Sequence, residues 1–231
     1  MTKVKICGLT RLEDARLALE LGADEIGFIL APSPRRIDPA ALRGILAALR
    51  ADRDFAGRPF RAVGVFVNES SDAMRDIIAT TTIDVAQIHG DEKPEACAAF
   101  DFPWYRALRP ASPAEALDIR VAGWACPRIL ADATIRGSYG GTGASLSREV
   151  AIAARNATRA AGKEFFLAGG LGPANVARTI LEVEPDGVDL SSGVEEAPGI
   201  KSAALLEALF AEVRRADGEL AACKEAADAA R

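Results

Sequence analysis

The feature that most limits the fold of this chain is a regular alternation of short apolar runs with helical patterns. Several of the runs are continuously apolar, which is typical of parallel strands that are covered on both faces. Between them, apolar residues recur at helical spacing, so the chain reads as repeated strand-then-helix units. The predicted strands are Val4–Cys7, Glu25–Leu30, Ala62–Val67, Val85–Ile88, Trp104–Leu108, Arg128–Ala131, Glu164–Ala168 and Gly187–Leu190.

Eight strand–helix units in a chain of 231 residues favour an α/β fold of the closed (β/α)₈ TIM-barrel type, near the lower end of its size range. The alternative is an open doubly wound sheet, which usually has fewer strands, and no G-x-G-x-x-G pattern follows the first strand here. No change of composition marks a linker. We therefore expect one barrel over residues 1–215, and an alanine-rich segment, 216–231, that extends the last helix or frays.

Helix start and stop signals separate the strands. Thr10 and Glu13 fit a capping box, in which hydroxyl and carboxylate satisfy free backbone donors, and Gly22 is placed to end that helix. Further helix starts are predicted at Asp38-Pro39, Ser112-Pro113 and Pro173, and the last long helix carries Leu206, Leu209, Phe210 and Val213 on one face.

Composition excludes several classes of protein. The hydrophobic fraction is 49%, the charged fraction 26% and the net charge −5, which argues against a broad basic face for nucleic acid. No run approaches the ~20 apolar residues of a membrane span, and the N-terminus lacks a signal-peptide pattern. Four scattered cysteines and a single histidine argue against a zinc site. We expect a reduced, cytoplasmic protein without nucleic-acid or membrane partners.

Polar residues stand where several predicted strands end, which in a (β/α)₈ barrel is where reactive side chains project. Cys7 ends the first strand, His89 follows the fourth and Asp132 the sixth, while Asp189 lies near the end of the eighth. Arg36 lies in the loop after the second strand. These five residues are the candidates for chemistry and for substrate binding.

Each candidate also has a plainer interpretation. A free cysteine is most often a small buried hydrophobe, and an aspartate at a strand–helix junction is often a helix cap, which applies to Asp132 and to Asp189. A lone histidine is more often structural than catalytic. The Arg36 guanidinium either is exposed to solvent or forms paired hydrogen bonds with a substrate carboxylate.

Two loops favour a phosphate site. Gly169-Gly170-Leu171-Gly172 follows the seventh strand and Ser191-Ser192-Gly193 the eighth. Glycine lets backbone N–H groups approach phosphate oxygens closely. One Gly-Gly pair is often only a turn, whereas two such loops at neighbouring strand ends favour phosphate. Tyr139–Gly143, after the sixth strand, is either a cover over the ligand or a plain surface loop.

Cys7 and Asp132 face each other across the predicted barrel. A thiol with a pKa near 8.5 is only a few per cent thiolate at pH 7, so Cys7 needs activation to act as a base. Lys5 is expected to point to the other side of the strand and to give no help. Asp132, with an ordinary pKa of ~3.9, needs burial to hold a proton at neutral pH. An acid and a base across a phosphate site suggest proton transfer on a sugar phosphate.

An ordered set of motifs runs from Val4 to Leu209, and together these motifs are far more specific than any one of them. They are Lys5–Thr10, Gly27–Ile29, Ser33–Arg36, Val65–Asn68, Gln87–Gly90, Asp132 with Tyr139–Gly143, Leu167–Leu171 and Val188–Glu195 with Pro198-Gly199. In these motifs the sequence resembles the phosphoribosylanthranilate isomerase family of tryptophan biosynthesis. The resemblance implies a (β/α)₈ barrel that catalyses an Amadori rearrangement of a phosphorylated amino sugar, with no cofactor and no metal.

The resemblance also implies roles for individual residues. Asp132 matches the general acid that protonates the furanose ring oxygen, and Cys7 matches the general base that removes the C2′ proton, with Gly8 leaving room for the ligand. Arg36 matches a contact to the anthranilate carboxylate, and we assign His89 and Asp189 to substrate binding. The phosphate site is assigned to Gly141, Gly143, Gly169, Gly170, Ser192 and Gly193. We expect a monomer or a homodimer.

The sequence departs from the family in two motifs and in the alanine-rich tail beyond Asp217, and it leaves two other functions open. Leu146–Arg148 replaces an aromatic-Asp-Trp segment, and Trp104–Leu108 is an untypical fifth strand. One alternative is the related aldose–ketose isomerase of histidine biosynthesis, or a dual-substrate form, but that family has an aspartate where Cys7 stands. The other is a non-catalytic phosphate-binding barrel, against which the presence of both Cys7 and Asp132 argues.

Overall fold

Eight parallel strands close into a barrel in the order in which they occur along the chain. The computed structural model describes residues 1–55, 58–121, 123–133 and 146–229. The strands are β1 Lys3–Ile6, β2 Glu25–Ile29, β3 Arg61–Phe66, β4 Val85–Ile88, β5 Trp104–Leu108, β6 Arg128–Ala131, β7 Glu164–Ala168 and β8 Gly187–Leu190. The predicted TIM barrel is therefore confirmed, and each predicted strand lies within one residue of its observed bounds.

Helices follow the strands and surround the barrel. They are α1 Leu12–Leu21, α2 Pro39–Ala51, α3 Ser71–Thr81, α4 Pro94–Cys97, α5 Pro113–Val121, α6 Arg148–Ala160, α7 Val176–Val183 and α8 Ala203–Ala229. A small antiparallel hairpin, β9 Glu195–Ala197 and β10 Ile200–Lys201, lies between β8 and α8. Within the described ranges, none of the helices has the length and hydrophobicity to cross a membrane.

Three of the local signals are confirmed. The Asp38 side chain accepts a hydrogen bond from the Ala40 N–H at 2.8 Å and caps α2. Gly22 ends α1 with φ of +115°, in the left-handed region that suits glycine. The Ser112 hydroxyl accepts from the Glu115 N–H at the start of α5, so a capping side chain is present there too.

Two predicted helix starts are wrong, because side chains near them form hydrogen bonds with other parts of the chain. The Thr10 hydroxyl donates to the Gly199 carbonyl at 2.6 Å, which holds Thr10 against the hairpin, and α1 begins at Leu12 without a side-chain cap. The helix expected at Pro173 begins at Val176. The oxygen and the nitrogen of the Asn175 amide each form a hydrogen bond of 2.9 Å with the backbone of the preceding loop. The helix therefore begins only after Asn175.

The apolar core has two parts, one on each side of the sheet. The larger part lies between the strands and the helices, and the smaller one fills the barrel with Val63, Tyr105, Ala107, Leu130, Phe166 and Ala168. This arrangement explains the continuously apolar strands, because side chains on both faces are buried. Each large side chain buried in this way contributes roughly 1.5–3 kcal/mol.

Two groups of polar contacts stabilise the amino-terminal end of the barrel. Arg128 stacks on the Phe166 ring at 3.8 Å and pairs with Glu25 at 2.7 Å and Glu164 at 2.6 Å. Thr2 donates its backbone N–H and its hydroxyl to the Asp217 carboxylate, at 3.0 and 2.7 Å. The second group fastens the start of the chain to α8.

Candidate active site

Cys7 follows β1 directly and lies at the carboxyl rim of the barrel. Its backbone N–H donates to the Leu190 carbonyl of β8 at 2.8 Å, and its side chain is buried. Lys5 lies on the same face of β1, because side chains two residues apart on a strand share a face. The expectation that Lys5 points away from Cys7 is therefore wrong. The Lys5 ammonium donates to Asp189 at 2.9 Å.

Gly27 of β2 lets these two groups come together. A Cβ at this position would lie 2.8 Å from the Cys7 sulfur and 3.0 Å from the Lys5 Nζ. Both distances are too short for any larger residue without movement of its neighbours. The thiol and the ammonium both lie against the backbone of Gly27, in the space that a side chain would occupy. This is the physical reason for glycine in this motif.

Burial and nearby charges oppose each other at this site. Burial raises the pKa of the Cys7 thiol, while the ammonium of Lys5 lowers it through its charge and a hydrogen bond, and the net pKa lies above the ordinary value. Burial alone lowers the pKa of Lys5, but the surrounding groups, above all the Asp189 carboxylate, more than reverse this and raise the pKa well above its usual value. Lys5 therefore remains a cation beside the thiol.

A second buried lysine comes from the hairpin after β8. The Lys201 ammonium donates to the Ser191 carbonyl at 3.0 Å and to Glu195 at 2.8 Å, and Arg35 holds the same carboxylate at 2.8 Å. Burial lowers the pKa of Lys201, against the opposing effect of Glu195. The pairs tie the loop after β2 to the loop after β8.

Gly8 does not leave room for a ligand, contrary to the prediction. A Cβ there would lie 2.7 Å from the Arg35 Cδ and 2.8 Å from the Ser191 Oγ, and the residue has φ of +72°. The space beside Gly8 is thus filled by Arg35 and Ser191. Glycine is required because of these neighbours and because its backbone is left-handed.

Arg36 differs from its neighbour Arg35 in what it contacts. Its backbone forms a bridge to Ile29 at the end of β2, which fixes it at the rim. Its side chain is exposed and forms no ion pair or hydrogen bond with the described part of the chain. Of the two adjacent arginines, only Arg35 is committed to a structural ion pair.

Asp132 lies just after β6, where its backbone N–H donates to the Leu108 carbonyl at 2.9 Å. The side chain is buried. His89, which follows β4, directs its Nε2 to the Asp132 Oδ2 at 3.3 Å. On the other side of the ring, Nδ1 lies 3.2 Å from the Gln87 amide nitrogen. The residue predicted to bind substrate is thus in contact with the predicted acid.

The loops after β7 and β8 pack against each other. Gly169 and Gly170 have φ of +93° and +60°. A Cβ on Gly193 would collide with the Leu171 carbonyl, and one on Gly172 would lie 3.1 Å from the Gly193 carbonyl. The two predicted phosphate loops are therefore adjacent, with Ser192 at the start of a short 3₁₀ turn, Ser192–Val194.

One glycine connects the phosphate loops to the acid. A Cβ on Gly169 would lie 2.6 Å from the backbone nitrogen of Ala133, the residue after Asp132. Gly141 and Gly143, with the rest of the predicted 139–143 loop, lie outside the described residues.

Lys5, Tyr105 and Lys201 are among the groups near this site that are not sequence-based candidates. Lys5 and Tyr105 occupy inward positions on their strands, and a strict count of alternate residues would have identified both. The position of Lys201 could not be predicted in this way, because a strand of two residues is too short to show an alternation of buried and exposed residues.

Comparisons with known proteins agree closely with one another. The family model for N-(5'phosphoribosyl)anthranilate (PRA) isomerase matches residues 4–212. N-(5'-phosphoribosyl)anthranilate isomerase from Pseudomonas putida strain F1 is 43% identical over 216 residues, which are 92% of this chain and 97% of that protein. The phosphoribosyl anthranilate isomerase structure from Thermus thermophilus is 39% identical, with a TM-score of 0.77 over 93% of this chain and 99% of that one. A phosphoribosyl anthranilate isomerase in complex with reduced 1-(o-carboxyphenylamino)-1-deoxyribulose 5-phosphate is 30% identical, with a TM-score of 0.75 over 93% and 99%.

Proposed function

This chain belongs to the N-(5'-phosphoribosyl)anthranilate isomerase family, and we propose that Cys7 and Asp132 carry out its acid–base chemistry. The enzyme converts N-(5'-phosphoribosyl)anthranilate to 1-(2-carboxyphenylamino)-1-deoxyribulose 5-phosphate in tryptophan biosynthesis. One observation carries the assignment of residues. Only β7 and β8 stand between β6 and β1 on one side of the closed barrel, so the glycine-rich loops lie between the carboxyl group and the thiol.

In the first step Asp132 gives its proton to the furanose ring oxygen. The bond from C1′ to that oxygen breaks, and the lone pair of the anthranilate nitrogen forms a C=N bond to C1′. The product is an open-chain Schiff base in its protonated form, and Asp132 is left as a carboxylate. A general acid of this kind typically contributes 10²- to 10⁴-fold to a rate.

In the second step the Cys7 thiolate removes the proton from C2′. The electron pair of the C–H bond moves to form C1′=C2′, and the C=N electrons return to nitrogen, which gives a neutral enolamine. Tautomerisation then yields the ketone at C2′. The Lys5 cation favours the thiolate, while burial raises the pKa of Cys7 and so makes the thiolate a stronger base once it is formed.

Substrate binding uses groups around the same rim. The exposed Arg36 guanidinium suits the anthranilate carboxylate, and the backbone of Gly169, Gly170 and Gly193, with Ser192, suits the phosphate. Asp189 holds Lys5 with one oxygen, while its Oδ1 is buried without a hydrogen-bond partner among the described residues. A substrate hydroxyl would satisfy that oxygen, which supports a binding role for Asp189.

The reaction needs no cofactor in this scheme, because C1′ is reduced and C2′ is oxidised within one molecule and the two protein groups move the protons. We also place the enzyme in the cytoplasm, since all four of its cysteines are free thiols, as is usual in a reducing compartment. We still expect the protein to be a monomer or a homodimer.

The decisive experiment follows the loss of substrate fluorescence as N-(5'-phosphoribosyl)anthranilate, generated in situ, is consumed. Cys7→Ala and Asp132→Asn should each lower the rate by about 10² to 10⁴. Cys97→Ala, which removes another buried thiol, and Asp38→Asn, which keeps a capping side chain, are the matched controls and should stay active. Wild-type rates in Cys7→Ala or Asp132→Asn would refute the assignment. Turnover of the aminoaldose of histidine biosynthesis would instead show a dual-substrate enzyme.

A further inference from the structure

A chain of side chains inside the barrel leads to Asp132. The Tyr105 hydroxyl donates to the Gln87 Oε1 at 2.7 Å, the Gln87 Nε2 lies 3.2 Å from the His89 Nδ1, and the His89 Nε2 lies 3.3 Å from the Asp132 Oδ2. Tyr105 and Gln87 are each 2% exposed. Tyr105 belongs to β5, and the reaction scheme so far gives it no role.

The orientation of the Gln87 amide sets the direction of the hydrogen bonds. Burial raises the pKa of Tyr105, so its hydroxyl keeps its proton and can donate. An amide has one accepting oxygen and one donating nitrogen. When Gln87 Oε1 accepts from Tyr105, Gln87 Nε2 must present N–H to the His89 Nδ1, which then accepts.

A neutral imidazole has a single N–H, so in this arrangement the proton of His89 lies on Nε2 and faces Asp132. The approach of Nε2 to Asp132 at 3.3 Å is a close contact, and Nε2 forms no hydrogen bond with the described residues, so a small movement of either side chain is needed to make one. The reversed amide would put the proton on Nδ1 and turn a lone pair of Nε2 toward the carboxylate. Two acceptors would then face each other at 3.3 Å, which is unfavourable unless Asp132 is protonated on that oxygen.

We propose that Tyr105 and Gln87 are positioning residues that hold His89 in the Nε2–H tautomer, and that His89 in turn orients the carboxyl group of Asp132. This inference rests on the proposed role of Asp132 as general acid. The Asp132 Oδ2 can accept from the His89 Nε2–H both as the carbonyl oxygen of the acid and as a carboxylate oxygen. As the proton leaves for the sugar, negative charge grows on Asp132 and the hydrogen bond from the His89 Nε2–H to its Oδ2 forms and strengthens, so the contact favours the transition state over the ground state.

The chain offers a direct readout, because His89 is its only histidine. In protein without a histidine tag, labelled with ¹⁵N-histidine, all imidazole signals come from this ring. A pH series identifies the range in which the ring is neutral. There, wild type should show a protonated Nε2 and an unprotonated Nδ1.

Two variants change the network in opposite ways. Tyr105→Phe removes only the hydroxyl that orients the amide, and we expect a mixture of tautomers, with a single-turnover rate about 3- to 10-fold lower and KM changed by less than about twofold. Gln87→Glu puts two accepting oxygens beside Nδ1, so Nδ1 should become protonated. Thr81→Val removes another buried hydroxyl, one that bonds the Ile77 carbonyl within α3, and should alter neither the spectrum nor the rate.

Each outcome decides the proposal. A wild-type ring protonated on Nδ1, or a Tyr105→Phe spectrum identical to that of wild type, would overturn it. Loss of rate in Tyr105→Phe with an unchanged tautomer would mean a merely structural role. An active Asp132→Asn variant would refute the acid assignment instead, while the tautomer measured on His89 would stand, so the two failures are distinguishable. If Tyr105→Phe does not fold, Gln87→Glu carries the test.

Discussion

Replacement of Lys5 by methionine tests whether the buried ammonium beside Cys7 is needed for stability, for activity or for both. Methionine keeps most of the length of the side chain and removes the charge. The Asp189 carboxylate, 8% exposed and now 2.9 Å from the nearest cation, would lose its partner. Removal of one partner from a buried pair typically destabilises by about 3–5 kcal/mol, which corresponds to a Tm lower by about 6 to 20 °C for a chain of this size.

The double variant Lys5→Met/Asp189→Asn separates stability from catalysis. Because no unpaired charge is left in it, most of the lost stability should return, whereas activity should not. In Lys5→Met the pKa of Cys7 should rise further, since burial then acts without the opposing cation. The rising limb of kcat/KM against pH should therefore move to higher pH.

The sign of the linkage also predicts how the stability difference depends on pH. The pKa of Lys5 is raised in the folded state, so its contribution is complete below the unfolded pKa of about 10.4 and disappears as pH rises through the folded value. The matched control is Lys3→Met, which breaks an exposed pair with Glu164 and should change stability by at most about 1 kcal/mol. Urea unfolding of Lys5→Met that matches wild type within that range, with an unchanged pH profile, would refute the reasoning.

Three further predictions concern the same rim. Gly27→Ala places a Cβ 2.8 Å from the Cys7 sulfur, so steady-state kinetics should show a kcat about 10- to 100-fold lower with little change in KM; an unchanged kcat would contradict it. Since the pKa of the Cys7 thiol is raised, kcat/KM and alkylation of Cys7 by iodoacetamide should both keep rising with pH above the ordinary thiol pKa of about 8.5; a plateau of both by pH 7 would contradict the raised pKa. Arg36→Met should raise KM by about 10-fold or more without a change in Tm, whereas Arg35→Met, which leaves Glu195 with one partner fewer, should lower Tm by about 3 to 10 °C; the reverse pattern would exchange the roles of the two arginines.

The sequence allowed the strands to be predicted because they are buried on both faces and bounded by clear helix signals. Val85–Ile88 and Gly187–Leu190 have their predicted bounds, since polar or small residues end each run. The place of Lys5 was also predictable. It lies two residues before Cys7, and period two puts both on one face; the wrong expectation came from a miscount of that period.

Other features depend on closure of the barrel and leave no local mark. Arg35 and Glu195 are separated by 160 residues along the chain, so their pairing follows only from the way the two loops meet. The same is true of the Thr10 hydroxyl, which a carbonyl 189 residues away withdraws from the helix cap. The contact of His89 with Asp132 likewise comes from the meeting of two strand ends that are not neighbours in the sheet.

The pairing of Lys5 with Asp189 has a consequence for how the enzyme becomes active during its synthesis. These residues are 184 positions apart, and at about 5–20 residues per second a ribosome needs about 10 to 40 seconds to make the chain between them. During that time the thiol of Cys7 is present, but β8 and the carboxylate that completes its surroundings are not. The first appearance of isomerase activity in a pulse of synthesis should therefore mark the moment at which the last strand closes on the first.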